Sequence, residues 1–529
     1  MIPSPKIVTP SLLVFKMRFL LLFIVSTITS FTNAHTLPPL QQSEKWWSPQ
    51  SNPELRNAFH IFNAIHSAMR QWGSSLNHNG MSFCPAVVPT GTLLYHGSKS
   101  ANPVKGMQWL AFEPEHAQQF SNNIFKPPPR TVYTPPIDHD QKALLRQPSD
   151  TGKVAAGKSQ SAEKPGFLHT YVTKRDLHLL YIDGMSGGKT LNGTLDSQDL
   201  ILLNVTSPPA FWEYGRGEGL CDIARNDWRE RVDGFLRMEA GFEVILCEFI
   251  GNVELRNVGR SNGKCEGCID GKRAEDRKGM KYLRAVADRY RGIGGGRVRI
   301  NYEKMVSAFS LGTALLGMGG RYPRLRNVSS IDLRAVRKRV DEMILSEPNP
   351  FVHLGIDWQV VADTVVTRYS SRLRYLAMPG IIDDDHILSS ELNDMLSIFI
   401  DYDNRDFVAE TLRCSSHLFP TTAYEIPTAH LAKSVVNRII NYICYSLIST
   451  QHGEVSRSLS MKQNIINELI ENLDWTTWKE CGPCQVDEIC SIPLWPFGSK
   501  HDWVRPKCRN ASTIHEQRGY WGAKSRPWD

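Results

Sequence analysis

His96 closes a short apolar run, Gly91-Thr92-Leu93-Leu94-Tyr95-His96-Gly97-Ser98, and Glu243 stands near the start of another, Gly241-Phe242-Glu243-Val244-Ile245-Leu246. Both runs read as strands. An imidazole and a carboxylate are side chains that can exchange protons or stabilise developing charge. Two aromatics, Trp109 and Phe112, stand in the run Trp109-Leu110-Ala111-Phe112 between them. The same residues also have plain structural readings: His96 as a satisfied strand-end histidine, Glu243 as the solvent-facing residue of an edge strand, and the two aromatics as core. Glu239 and Glu248 are rival carboxylates to Glu243.

Other motifs are weaker. Gly184-Met185-Ser186-Gly187-Gly188 has the G-x-S-x-G spacing, but a hydrolase elbow needs a helix after it. Here Lys189-Thr190-Leu191-Asn192-Gly193-Thr194 follows, which is turn chemistry. A phosphate loop ending Gly188-Lys189-Thr190 would need glycine where Asp183 stands. Asp383-Asp384-Asp385-His386 has the donors for a metal ion. It precedes the apolar-periodic run Ile387 to Ile398, where acidic residues suit a helix start. Gly292 to Gly296 lacks a strand before it and is no dinucleotide fingerprint. No metal site is assigned from the sequence.

The elements that must position these residues come in two kinds. Residues 85–122 read as strands and a short helix, and strand-like runs return at Leu168 to Val172, Leu177 to Ile182, Leu200 to Val205 and Phe242 to Phe249. One helical stretch precedes them around Leu55 to Trp72. Residues 123–166, with Pro127-Pro128-Pro129 and a Lys/Ser/Gly/Ala run, read as a long flexible insertion. Helical spacing follows, in Leu333, Val336, Val340, Met343 and Ile344 behind a Ser329-Ser330 cap. It continues in Val361, Val365, Leu373 and Leu376 before Pro379-Gly380, and in Ile465, Leu469, Ile470 and Leu473. The expected organisation is a leader and signal peptide over 1–34, an α+β mixed-sheet domain over 35–258, and a basic glycine-rich hinge over 259–300. A mainly helical domain follows over 301–475, and a Cys/Trp-rich tail stapled by disulfides over 476–529.

Composition excludes extremes. The 529 residues are 41% hydrophobic and 22% charged, values of an ordinary globular chain. The formal charge of +7 is too small to imply a nucleic-acid partner. Met17 to Ala34, with Arg18, the apolar run Phe19 to Val25 and the small-residue site Thr32-Asn33-Ala34, reads as a secretory signal, with Met1 or Met17 as its start. Its removal takes away Lys6, Lys16 and Arg18 and no acid, leaving +4. No later run is apolar enough to span a membrane, so the expected destination is extracellular, at the cell wall or in the lumen of the secretory pathway. Sequons at Asn192, Asn204, Asn327 and Asn510 are compatible with a glycoprotein. The eleven cysteines follow the signal, so disulfides are expected. That applies also to the C-x-x-C pairs Cys265/Cys268 and Cys481/Cys484. An odd number leaves at least one cysteine free or bonded to another chain. Cys247, in an apolar run, is the candidate for an unpaired thiol.

The order of motifs from His96-Gly97-Ser98 through Trp109 to Phe120 and Leu168 to Asp183 to Glu243 resembles the His-Tyr-Glu branch of the ADP-ribosyltransferase superfamily, over residues 90–250. The resemblance implies cleavage of NAD at its nicotinamide bond, with NAD as substrate and no tightly bound cofactor. It implies Glu243 as the catalytic carboxylate on the ribose, and His96 as catalytic partner and, with Gly97, binder of the ribose. Trp109 or Phe112 would pack on the nicotinamide. Gly241, where arginine-modifying members carry Glu or Gln, argues against arginine as acceptor. The whole chain also resembles a group of secreted fungal proteins of unknown function, through Tyr181 to Asp199, Asp233 to Met238 and Trp495-Pro496-Phe497-Gly498. Two functions are therefore carried forward. One is a secreted NAD-consuming transferase or glycohydrolase with a protein or small-molecule acceptor, which requires His96, Glu243 and an aromatic to converge in one cleft. The other is a non-catalytic, disulfide-stabilised secreted binding protein, with no polar cleft around His96.

Overall fold

A computed structural model describes residues 53–513 except 78, 122–165, 190–192, 209–211, 262–271, 295, 316–322, 353–354, 421–429, 452–457 and 492–499. The leader, the expected insertion, Asn192, Cys265, Cys268 and Trp495 to Gly498 lie outside the described residues. The helices are α1 (Pro53–Ser67), α2 (Gln71–Asn77), α3 (Pro114–Ser121), α4 (Glu213–Asn226), α5 (Lys272–Ala287), α6 (Ser330–Leu345), α7 (Trp358–Leu376), α8 (Asp385–Leu396), α9 (Phe407–Ser416), α10 (Leu431–Gln451), α11 (Leu459–Leu473) and α12 (Lys500–Val504). The strands are β1 (Ser82–Val88), β2 (Leu93–Ser98), β3 (Gln108–Ala111), β4 (Phe167–Thr173), β5 (Leu177–Ile182), β6 (Gly234–Met238), β7 (Phe242–Leu246), β8 (Val253–Arg260), β9 (Arg299–Ile300), β10 (Val306–Ser307), β11 (Ile489–Ser491) and β12 (Lys507–Arg509). No helix among the described residues is long and apolar enough to cross a membrane.

The fold is α+β, as the patterning predicts: a mixed sheet, a helical C-terminal region and a tail closed by disulfides. The sheet runs β10-β1-β5-β6-β7-β3-β2-β4-β8, with β9 also on β1. Only β5 and β6 pair in parallel; the other pairs are antiparallel. Every residue of β1, β6 and β7 is buried, so these are central strands covered on both faces. That explains their near-continuous apolar sequence. β8 alternates toward solvent, as an outer strand should. The hairpin of β6 and β7 turns through Glu239-Ala240-Gly241, with Arg237 opposite Glu243.

Several expectations are refined. The stretch 55–72 is two helices, because Met69 has φ +54° and breaks the ladder before α2. Leu200 to Val205 is no strand: a π-helical turn covers Ser197–Leu202 and buries Gln198 and Asp199. Its polar residues are drawn inward by the charges described below, which periodicity does not register. Ser329 caps α6 by accepting from the Asp332 N–H, and Asp384 caps α8 by accepting from the His386 N–H. In α11 the buried stripe is Ile466, Leu469 and Leu473, so Ile465 and Ile470 lie at its margins.

One apolar core runs from the sheet into the helices. Phe59 on α1 meets Tyr442 on α10 edge-on at 5.3 Å, and Arg70 and His66 bind Asp363 on α7. Cys221–Cys247 ties α4 to the strand end after β7, and Cys414–Cys444 ties α9 to α10. Cys247 is therefore paired, and the free thiol among the described residues is the buried Cys84. Proximity overrides the apolar surroundings of Cys247, since the Cα of Cys221 is 5.4 Å away. In the tail, Cys481 pairs with Cys490 and Cys484 with Cys508, so that C-x-x-C contributes to two bridges. Replacing Cys221 and Cys247 together by serine should cost about 2–4 kcal/mol of stability, read by urea denaturation of the oxidised protein.

Candidate functional site

Side chains alternate across a strand, and directly paired residues share a face. Tyr95 pairs with Ala111, and Ala111 pairs with Glu243. Tyr95, Ala111 and Glu243 therefore share one face of the sheet. Gly97, two residues from Tyr95, is on that face too; a Cβ there would lie 1.9 Å from the Ala117 carbonyl oxygen of α3. His96 falls between them and points to the opposite face. The structure thus does not bring His96 and Glu243 side chains together.

On its face, His96 is opposite His169 of β4. Its Nδ1 donates to the Trp109 carbonyl at 2.7 Å, which leaves the lone pair on Nε2. His169 Nε2 donates to the Ser100 carbonyl at 2.8 Å, and the Tyr171 hydroxyl accepts from the Val104 N–H at 3.0 Å. Phe249 stands edge-on to His96 and to Tyr171, with ring centroids 6.2 and 5.1 Å apart. Burial pushes the His96 pKa down to about 4, so the ring is neutral at neutral pH. This is an aromatic cluster in which His169 and Tyr171 are buried and His96 is half-buried.

On the other face, Glu243 is 2% exposed. Its Oε1 accepts from Arg237 Nε at 2.9 Å. Arg237 also reaches Glu213 Oε2 at 2.6 Å and Gln198 Oε1 at 2.8 Å. Arg216 of α4 binds Glu213 and, at 2.6 Å, Asp199 of the π-helical turn. Lys189 Nζ is 2.6 Å from Glu239 Oε1. Burial works against every one of these charges. The guanidinium of Arg237 and the neighbouring cations still win at Glu213 and Glu243, whose carboxyls are held low. At Glu239 burial prevails, aided by the Glu243 carboxylate, and its carboxyl is raised. The result is a buried network of alternating charge in which Glu243 is committed to protein partners.

The remaining predicted residues are placed as follows. Trp109 is half-buried against Tyr214 of α4, with ring centroids 6.0 Å apart. Phe112 is 1% exposed, with the Arg297 guanidinium 5.5 Å from its ring centre. Glu248 accepts from the Gly106 and Ile250 N–H groups. Ser186 is buried and donates to the Ile182 carbonyl at 2.8 Å, a turn contact. Asp385 pairs with Lys462 beside the α8 cap. The sequence reading missed Arg237 as the partner of Glu243, and Arg216, Lys189 and Glu213 as members of the same network. Arg237 carried a readable signal: one arginine inside Gly234-Phe235-Leu236-Arg237-Met238, an apolar strand, is a buried charge that must find an acid.

A family model described as "YPL277C N-terminal domain" matches residues 51–130 and 135–263, the part that carries α1 to β8 and both candidate residues. Two Saccharomyces cerevisiae proteins are similar to the chain. "Uncharacterized protein YOR389W" is 33% identical over 226 residues, covering 38% of this chain and 33% of that protein. "Uncharacterized protein YPL277C" is 33% identical over 227 residues, covering 38% of this chain and 43% of that protein. The chain thus spans less than half the length of either relative. No solved structure matches.

Two outcomes follow from the geometry. Arg237→Met strands Glu243 and Glu213 without their shared cation and should cost about 3–5 kcal/mol, measured by chemical denaturation. His96 gives a pH dependence of defined sign. Folded, it stays neutral down to about 4; unfolded, it takes its proton near 6.5. Between those values the unfolded chain binds more protons, so stability falls as pH drops through that window. His96→Gln should flatten that segment of a denaturation-versus-pH curve.

Proposed function

We propose that this protein is a secreted, disulfide-braced binding protein and not an NAD-consuming enzyme. The observation that carries the reading is the strand register, which sends His96 and Glu243 to opposite faces of one sheet. A carboxylate acting on the ribose of NAD must share a cleft with the histidine that holds it and must have an oxygen free for the sugar. Glu243 is buried against Arg237 and His116, and Gly97 is used for the close approach of α3. His96, Phe249, His169 and Tyr171 fill the other face with one another. Four disulfides among the described residues favour an oxidising compartment.

The competing reading keeps the ADP-ribosyltransferase resemblance and makes the protein a transferase or glycohydrolase. The two separate in one experiment. The full chain is expressed with its leader in a eukaryotic secretory host and purified from the medium, beside Glu243→Gln. We expect recovery from the medium, no nicotinamide release from NAD and no NAD-induced thermal shift. Nicotinamide release that disappears in Glu243→Gln overturns the binding-protein reading. Retention of folded protein inside the cell overturns secretion.

A further inference from the structure

The Glu243 face holds a second arrangement, formed by three side chains from separate positions. His116 of α3, Glu239 of the β6–β7 turn and Glu243 of β7 each present a donor atom to one spot, and these atoms all lie within 4.8 Å of one another. All three residues are buried. His116 Nε2 is 3.7 Å from Glu243 Oε2. That is too long for a hydrogen bond, which spans about 2.7–3.2 Å. It is close to the ~3.4 Å edge of a tetrahedron whose centre lies about 2.0–2.2 Å from each donor. The His116 ring is 2% exposed and turns Nε2 toward Glu243.

Charge points the same way. The buried network sets four carboxylates, Asp199, Glu213, Glu239 and Glu243, against three fixed cations, Lys189, Arg216 and Arg237. When all four carboxylates are ionised, one negative charge is left over. Glu239 and Glu243 each give Oε1 to a cation, and Glu243 turns Oε2 toward His116. Tyr282 of α5, itself buried, packs edge-on against the His116 ring at 6.0 Å and covers the spot from outside.

We propose that His116, Glu239 and Glu243 form a site for one divalent cation of the zinc or manganese class. One imidazole with two carboxylates is a nitrogen–oxygen donor set that suits these ions. The ion would clip α3 to the β6–β7 hairpin and balance the surplus acid. The site is structural, and it stands whether or not the protein turns over NAD.

The test uses the full chain, produced in medium supplemented with Zn²⁺ and Mn²⁺ and analysed for bound metal after gel filtration. We expect about one zinc or manganese per chain and roughly tenfold less in His116→Gln and in Glu239→Gln. Circular dichroism identifies whichever variant is folded, and that variant is the one read. Chelation of the wild type should lower its melting temperature, and Zn²⁺ or Mn²⁺ should restore it. The proposal is overturned if the wild type carries no stoichiometric metal and neither cation shifts its melting. It is equally overturned if metal content is unchanged in the folded variants, which would place the ion elsewhere, such as at the tail cysteines.

Discussion

Arg237 is a guanidinium with no solvent exposure, on a strand in the middle of the sheet. Placing that charge there is tolerable only if acids surround it, because desolvation costs several kcal/mol per ion and must be offset by close, hydrogen-bonded partners. The surrounding structure meets that demand. Glu243 lies opposite it on β7, Glu213 comes from the start of α4, and Gln198 comes from a π-helical turn. Each partner then needs its own neighbour, so Arg216, Asp199, Lys189 and Glu239 are drawn in. The position of α4, the shape of the 197–202 turn and the β6–β7 hairpin all follow from one buried cation.

The same network decides how the two faces of the sheet differ. The Glu243 face is ionic and covered by helices, with Gly97 as the contact that lets α3 lie close. The His96 face is neutral: imidazoles, a phenol and a phenyl ring, held by backbone carbonyls and N–H groups. Strand alternation keeps these two chemistries one residue apart in sequence and a sheet apart in space. A catalytic pair cannot be drawn across that divide without breaking β2 or shifting its register, and a shift would turn every apolar residue of β2 the wrong way.

The disulfides and the helical core complete the frame. Cys221–Cys247 fastens α4 beside the network, and Cys414–Cys444 does the same service between α9 and α10. The α1 helix, first among the described elements, packs against α10 and shares a core with the sheet. The tail is stapled by two bridges across β11 and β12, which are too short to hold by pairing alone.

Local physical chemistry was legible in the residues themselves. Strand-like runs marked Leu177 to Ile182, Leu168 to Val172 and the stretch from Phe242 that forms β7; helical spacing marked α6 and α7; Ser329 and Asp384 read correctly as caps; and the cysteine count called for bridges. These signals are short-range, set by backbone sterics and by which face of an element is apolar. Pairing partners were not legible. Nothing near Cys247 in sequence identifies Cys221, and nothing near Glu243 identifies Arg216 or His116. The face on which His96 lies depends on its neighbour Tyr95 being paired with Ala111, a long-range register that no local pattern encodes. Sequence alone therefore determined the α+β class, many of the elements and the chemical types available. Tertiary structure alone decided which of those groups meet, because a strand's alternation and a buried charge's need for partners are resolved only when distant segments pack.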